Sequence, residues 1–257
     1  MKTAIVTGAY GAIGEEISKG LIDQGCFTFL VGRNIERLKI LQSNLQTRTT
    51  DPLCSIHAVD LSSKSAINDF AMSLNQKVDI LINNAATAPI KRTESPDGIE
   101  LQWATNVLAY YWMSMAFRNH LSHSEFPLIV NVASYWAGGL DLEDPEFIKR
   151  RYDNGLAYRQ SKQADRMLTY GLAEHFEGEI SVVACHPGDA NSKLSNNLGF
   201  GGSESAKKAA EMPLLLATGK IRSVSTGRYY AHRQVADCQF SNDKDGIRRL
   251  LEICERY

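Results

Sequence analysis

Seven short apolar runs punctuate the chain: TAIVTG, FTFLVG, SIHAV, DILINNAA, PLIVNVAS, ISVVACHPG and GRYYAH. They are rich in Val, Ile and Leu and lack the apolar–polar alternation of a sheet with one wet face. The segments between them space their apolar residues at helical period. In AIGEEISKGLIDQG, Ile13, Ile17 and Leu21 share one stripe, and Gly25 supplies a stop. Unbroken strands alternating with such helices predict an α/β fold, a single doubly wound parallel sheet of about seven strands with helices on both faces. A single domain over residues 1–257 is expected, since no repeat, linker or low-complexity run divides it. Two segments break the rhythm. Asp141 to Arg151 is one; the other lies around 190–212, where NNLGFGGSES reads as a mobile loop able to cover a substrate.

Composition narrows the partners. The chain has 28 basic and 29 acidic residues, a net charge of −1, and no block of one sign, so neither nucleic acid nor an anionic membrane is an expected partner. Cys26, Cys54, Cys185, Cys238 and Cys254 are odd in number and lack zinc-like spacing, which fits a reducing compartment and no metal. No apolar run is long enough to span a bilayer, and the first strand begins at Lys2 or Thr3, leaving no room for a leader. The expectation is a soluble, cytoplasmic protein.

The first strand runs directly into TGAYGAIG, where Gly8, Gly11 and Gly14 open a helix. Glycines there allow a tight turn and a close backbone approach to a pyrophosphate, and the helix N-terminus offers N–H groups to it, the pattern of a Rossmann-type dinucleotide site. Tyr10, Ala12 and Ile13 complete this loop. A carboxylate ending the second strand would hold the ribose diol of NAD. Here FLVGRN places Arg33 there instead, with Asn34 beside it, and a guanidinium suits the 2′-phosphate of NADP. NADP(H) is therefore the expected cofactor.

Further along, GLAYRQSKQA sets Tyr158 four residues before Lys162, on one face of a helix. Upstream stand AVDLS, NNAA, Asn106 in ATNVLAYY and Ser134 in NVASYW; downstream comes CHPGDANSKL. These ordered motifs resemble the short-chain dehydrogenases/reductases over nearly the whole chain. The resemblance implies an Asn106–Ser134–Tyr158–Lys162 tetrad. In it Tyr158 is acid/base, Ser134 bonds the substrate oxygen, Lys162 binds the nicotinamide ribose and lowers the phenol's pKa, and Asn106 supports a proton relay. It also implies cofactor contacts from Asp60 and Leu61 near the adenine, from Asn84, Ala85 and Ala86, and from Pro187, Gly188 and Ser192 near the carboxamide. Ala86 stands where the family usually has glycine and Ser192 where it usually has threonine. His186 reads as structural rather than as a base.

The long insert between Ser134 and Tyr158 resembles the retinol dehydrogenase and protochlorophyllide reductase-like branch, and Tyr135 and Trp136 offer aromatic surface beside the site. The expected reaction interconverts an alcohol and a carbonyl, an aldehyde or ketone of lipophilic character. A catalytically silent NADP(H) sensor on the same fold is the alternative. The resemblance also implies a homodimer or homotetramer, and the helix ADRMLTYGLAEHF has an apolar stripe that would serve either a partner or its own sheet.

Overall fold

The computed structural model describes residues 1–46, 53–221 and 224–257. Strand β1 (Thr3–Thr7) leads through α1 (Ala12–Ile22) to β2 (Phe27–Gly32), and α2 (Ile35–Gln46) leads to β3 (Cys54–Ala58). Then come α3 (Lys64–Ser73), β4 (Ile80–Asn83), a π-helical segment (Trp103–Leu108) continuing into α4 (Ala109–Ala116), α5 (Arg118–Ser122) and β5 (Leu128–Val132). The long α6 (Asn154–His175) precedes β6 (Ser181–Cys185). The short α7 (Lys193–Asn197), α8 (Ala206–Ala209) and α9 (Glu211–Ala217) precede β7 (Arg228–Ala231), β8 (Gln234–Ala236) and α10 (Lys244–Arg256).

The strands lie in the order β3-β2-β1-β4-β5-β6-β7-β8. Chain order reverses between β1 and β4, so a crevice opens beyond their carboxyl ends, where ligands bind in sheets of this kind. Neighbours from β3 to β7 are parallel, whereas β8 returns antiparallel to β7 through His232 and Arg233, both at positive φ. Among the described residues the sheet thus has eight strands rather than seven. QVA is too short to show a period, and its pairing comes from the tight turn before it.

Both faces of the sheet are covered, which explains the lack of alternation. Ile5, Leu81, Ile129 and Val182 pack toward α3, α4, α6 and α10. Their neighbours Val6, Ile82, Val130 and Val183 pack toward α1, α2 and α9. Each such buried aliphatic side chain contributes about 1.5–3 kcal/mol. Asp153 caps α6 by accepting from Leu156 N at 2.7 Å. The α6 stripe is covered by its own chain: Met167, Leu168 and Leu172 join the core with Ile247 and Leu250 of α10. At Gly171 a Cβ would lie 2.7 Å from Leu251, so glycine sets the closeness of the two helices.

Candidate active site

The crevice begins at the glycine loop. Gly8 has φ +64, and a Cβ there would lie 2.9 Å from the Ala85 backbone. A Cβ on Gly14 would lie 2.2 Å from Gly8 O and 2.9 Å from Asn84 Nδ2. These glycines therefore let α1 start against the turn itself. No side chain caps α1 at Gly11, so its first N–H groups and positive end face the crevice. Thr7 and Asn84 tie the two strand ends together. Thr7 Oγ1 accepts from Asn84 N and Ala85 N at 2.9 and 3.0 Å, and Asn84 Nδ2 donates to Thr7 O at 2.9 Å. The geometry fits a dinucleotide pyrophosphate: an uncapped helix start, with no room for side chains between it and the strands.

At the end of β2, Arg33 and Asn34 are exposed beside Tyr10. Tyr10 OH accepts from Asn34 N at 3.3 Å, and Tyr10 lies where a Cβ on Gly32 would meet its ring at 2.5 Å. Arg37 stacks on that ring at 4.3 Å and donates to Tyr10 O at 3.1 Å. A second guanidinium thus stands one helical turn from Arg33. Sequence reasoning missed it because helix-surface arginines carry no spacing signal of their own. Asp60 uses one oxygen to cap its own turn, accepting from Ser62 N at 3.0 Å and Ser62 Oγ at 2.7 Å, with Leu61 buried beside it.

The four tetrad residues converge from three elements, all buried. Asn106 sits in the π-helical segment, where the widened turn carries its amide to the loop after β4. Asn106 accepts from Thr87 N at 2.8 Å and donates to Thr87 O at 3.0 Å, so its side chain braces the loop holding Ala85 and Ala86. Its link to Tyr158's helix is Ser161 Oγ, at 3.2 Å. Ser134 follows β5, its hydroxyl accepting from Trp136 N at 3.1 Å. Tyr158 lies on α6 with Trp136 6.0 Å away, ring to ring, and Trp136 in turn meets Phe200 of the loop after α7 at 5.5 Å.

The Lys162 ammonium is 5.8 Å from the Tyr158 ring centroid and 5.1 Å from that of Tyr110. It donates to Val132 O at 3.0 Å and to Asp165 Oδ2 at 2.8 Å. The expected depression of the phenol's pKa is not what results. Burial raises the Tyr158 pKa above its ordinary value, and the opposing pull of Lys162, itself countered by Asp165, does not undo it. Burial alone would depress the ammonium, but Asp165, Tyr110 and Tyr158 hold it above its ordinary value.

Two further residues of α6 were not singled out in the sequence. Arg166 Nε donates to Ser134 O at 3.0 Å and its Nη2 to Tyr229 OH at 2.7 Å, with the guanidinium 3.8 Å from the Tyr229 ring. It clamps the backbone that presents the Ser134 hydroxyl. Asp165 is the partner of Lys162. The available signal was positional: Asp165, Arg166 and Thr169 extend the Tyr158–Lys162 face at three- and four-residue steps, putting polar groups where a helix should be apolar.

Beyond β6, Pro187 and Gly188 turn the chain, Asp189 N donates to Glu204 at 2.7 Å, and Ala190 pairs with Glu204. Ser192 caps α7, its hydroxyl accepting from Ser195 N at 3.1 Å. The stretch around 190–212 is therefore ordered by two short helices and this pairing. His186 Nδ1 accepts from Tyr135 N at 3.4 Å, and burial, followed by His232 and Arg166, pushes its pKa down to about 4. The imidazole is therefore held neutral near neutral pH. Among the described residues no helix is long and apolar enough to cross a membrane.

The short chain dehydrogenase family matches residues 2–200. The chain belongs to that family. Mouse (Mus musculus) retinol dehydrogenase 13 is 29% identical over 97% of this chain and 81% of its own length, and the Homo sapiens protein is 29% identical over 97% and 82%. This short-chain dehydrogenase thus sits with the retinol dehydrogenase-like branch. An uncharacterised protein from Mycobacterium Paratuberculosis superposes with a TM-score of 0.83 over 100% of this chain and 92% of its own, at 23% identity. A metagenomic short-chain oxidoreductase in complex with NADP superposes with a TM-score of 0.68, at 25% identity, over 87% and 94%.

Proposed function

We propose that this protein is an NADP(H)-dependent oxidoreductase that interconverts a lipophilic aldehyde or ketone and its alcohol, with Tyr158 as acid/base. The reading rests above all on one observation: Tyr158, Lys162 and Ser134 are buried together beyond the carboxyl end of β5, on the same edge of the sheet as the glycine cradle beyond β1 and β4. The cradle at Gly8, Gly11 and Gly14 would hold the pyrophosphate, and Arg33 with Arg37 the 2′-phosphate. Asp60 and Leu61 would flank the adenine, and Asn84 to Ala86, Pro187, Gly188 and Ser192 the nicotinamide side. That the metagenomic relative was solved in complex with NADP supports a nicotinamide cofactor.

A reduced nicotinamide bound there supplies the hydride. The chain's part is to place and protonate the oxygen. The Ser134 hydroxyl donates to the carbonyl oxygen and fixes it beside the phenol. Tyr158 transfers its proton to that oxygen as charge develops, and the phenolate left behind regains a proton from solvent. Lys162 stabilises the transient phenolate. Trp136 and Phe200 give the pocket an aromatic wall, which suits an apolar substrate. The free cysteines Cys26, Cys54, Cys185, Cys238 and Cys254 support a reducing compartment, which this reading takes to be the cytoplasm.

The test is titration with NADPH and NADH, followed by a panel of aldehydes, ketones and quinones while reduced cofactor is monitored. Tighter NADPH binding with carbonyl-dependent oxidation is expected; binding without turnover across the panel would replace this reading with a cofactor sensor.

A further inference from the structure

The Lys162–Asp165 pair is fully enclosed, with side-chain exposures of 2% and 0% and an N–O distance of 2.8 Å. Two charges buried in this way rarely improve stability over an apolar pair of similar volume. The pair is also incompletely satisfied, because among the described residues Asp165 Oδ1 is buried without a hydrogen-bond partner. Around it, the Asn83 amide donates to Asn131 and the Asn131 amide to Thr169 Oγ1, both at 2.9 Å, and Thr169 Oγ1 donates to the Asp165 backbone oxygen at 2.8 Å. This network fixes the Asp165 backbone and leaves the carboxylate to Lys162 alone. An ammonium that works on a phenolate has here been given a second anion, nearer than the phenol.

We propose that Asp165 is a positioning residue for the proposed reaction: it anchors Lys162 and absorbs part of its charge, so that Tyr158 rests as a protonated phenol, ready to reduce a carbonyl rather than to oxidise an alcohol. The inference rests on the oxidoreductase reading and adds a preferred working direction. Reduction needs Tyr158 to give a proton, whereas alcohol oxidation needs the phenolate to take one, so a partner that weakens the field of Lys162 moves the oxidative range to higher pH.

The titratable groups that face this centre come from four elements: Tyr158, Lys162 and Asp165 of α6, Tyr110 of α4, Cys185 of β6 and Cys254 of α10. Burial pushes Asp165 upward against the pull of Lys162, and pushes both thiols upward. Asp165 is the acidic residue among them, and therefore the group whose removal isolates the effect.

The test is Asp165→Asn, which keeps shape and an acceptor for Lys162 while deleting the charge. Two readouts are taken on the NADP-bound protein: the pH profile of kcat for alcohol oxidation, and the ultraviolet tyrosinate titration of Tyr158, isolated by subtracting the matching Tyr158→Phe protein. Both should move to lower pH by about one unit, with alcohol oxidation near neutral pH rising about tenfold. A uniform fall in kcat with both curves unmoved would mean a merely structural aspartate and would overturn the proposal. If Asp165→Asn does not fold, Asp165→Ser, which also deletes the charge and leaves Lys162 in place, is read by the same tyrosinate titration. It should form tyrosinate at lower pH than the wild type, and coincident titrations would overturn the proposal. The spectroscopic arm needs no turnover. A shifted titration in a protein inactive on every carbonyl would uphold the role of Asp165 in setting Tyr158's charge while defeating the oxidoreductase reading.

Discussion

Replacing Gly14 by alanine is the sharpest probe of the cofactor cradle, because the obstacle is backbone. The new Cβ would stand 2.2 Å from Gly8 O, whereas such contacts essentially never fall below 3.0 Å. The start of α1 must therefore retreat from the turn by at least 0.8 Å, the difference between those distances. A helix N–H placed about 2.9 Å from a phosphate oxygen would then lie outside hydrogen-bonding range. Charge-assisted bonds contribute roughly 1.5–3 kcal/mol each, so losing two weakens binding by about 10²-fold or more. Overpacking costs about 1–3 kcal/mol of stability, and alanine's better helix propensity returns at most about 1 kcal/mol, so the steric term wins. Isothermal titration with NADPH and NADH should show equal losses, since both carry the pyrophosphate. Gly25→Ala is the control: its φ of +74 makes alanine strained, but nothing lies within 4 Å, so stability should fall by about 1 kcal/mol with cofactor affinity unchanged. A folded Gly14→Ala protein that binds NADPH within about threefold of the wild type would refute the cradle.

Other outcomes follow from the same structure. Arg33→Ala should weaken NADPH at least about tenfold more than NADH, and adding Arg37→Ala should widen the gap; equal losses for the two cofactors would make both arginines structural. Stability against pH should show two opposed slopes. Glu100, whose carboxyl accepts from Gln102 N and Trp103 N at the start of the π-helical segment, is pushed by burial up to about 7, so its stabilisation is present below about 4.5 and lost as pH rises through 7. His186 is pushed down to about 4, so its contribution is present above 6.5 and lost as pH falls toward 4. Each is worth about 3 kcal/mol and they offset one another between those limits. In melting experiments over that window, Glu100→Gln should become more stable as pH rises and His186→Asn less stable; variants that parallel the wild type would show that neither burial governs acid stability.

What the sequence discloses here follows from what is periodic or backbone-determined. Uninterrupted Val/Ile/Leu runs meant strands covered on both faces, whereas the crevice between β1 and β4 follows from a strand order that only the structure gives. The glycine spacing could be read from the turn and close approach it permits, and the Tyr158–Lys162 step from the helix face it shares, whereas the roles given to those residues come from the family resemblance. Three features could not. The β8 strand is three residues long and is specified by its turn. Arg37 and Arg166 act through stacking on Tyr10 and Tyr229, aromatics that are distant in sequence. The electrostatics of Tyr158 could not be inferred from a nearby lysine alone, because burial and Asp165 enter with the opposite sign. Around 190–212, where glycines and small polar residues suggested a loop without regular structure, the Ser192 cap of α7 and the Ala190–Glu204 pairing add local hydrogen bonds.

The most direct measurement compares wild type and Tyr158→Phe for NADPH affinity and for the rate of NADPH oxidation with the best carbonyl of the panel. The phenyl ring keeps the packing against Trp136 and removes only the proton donor. Affinity should stay within about threefold while turnover falls by roughly 10² to 10⁴. Turnover equal to that of the wild type would contradict Tyr158 as the acid, and with it the chemistry assigned to this site.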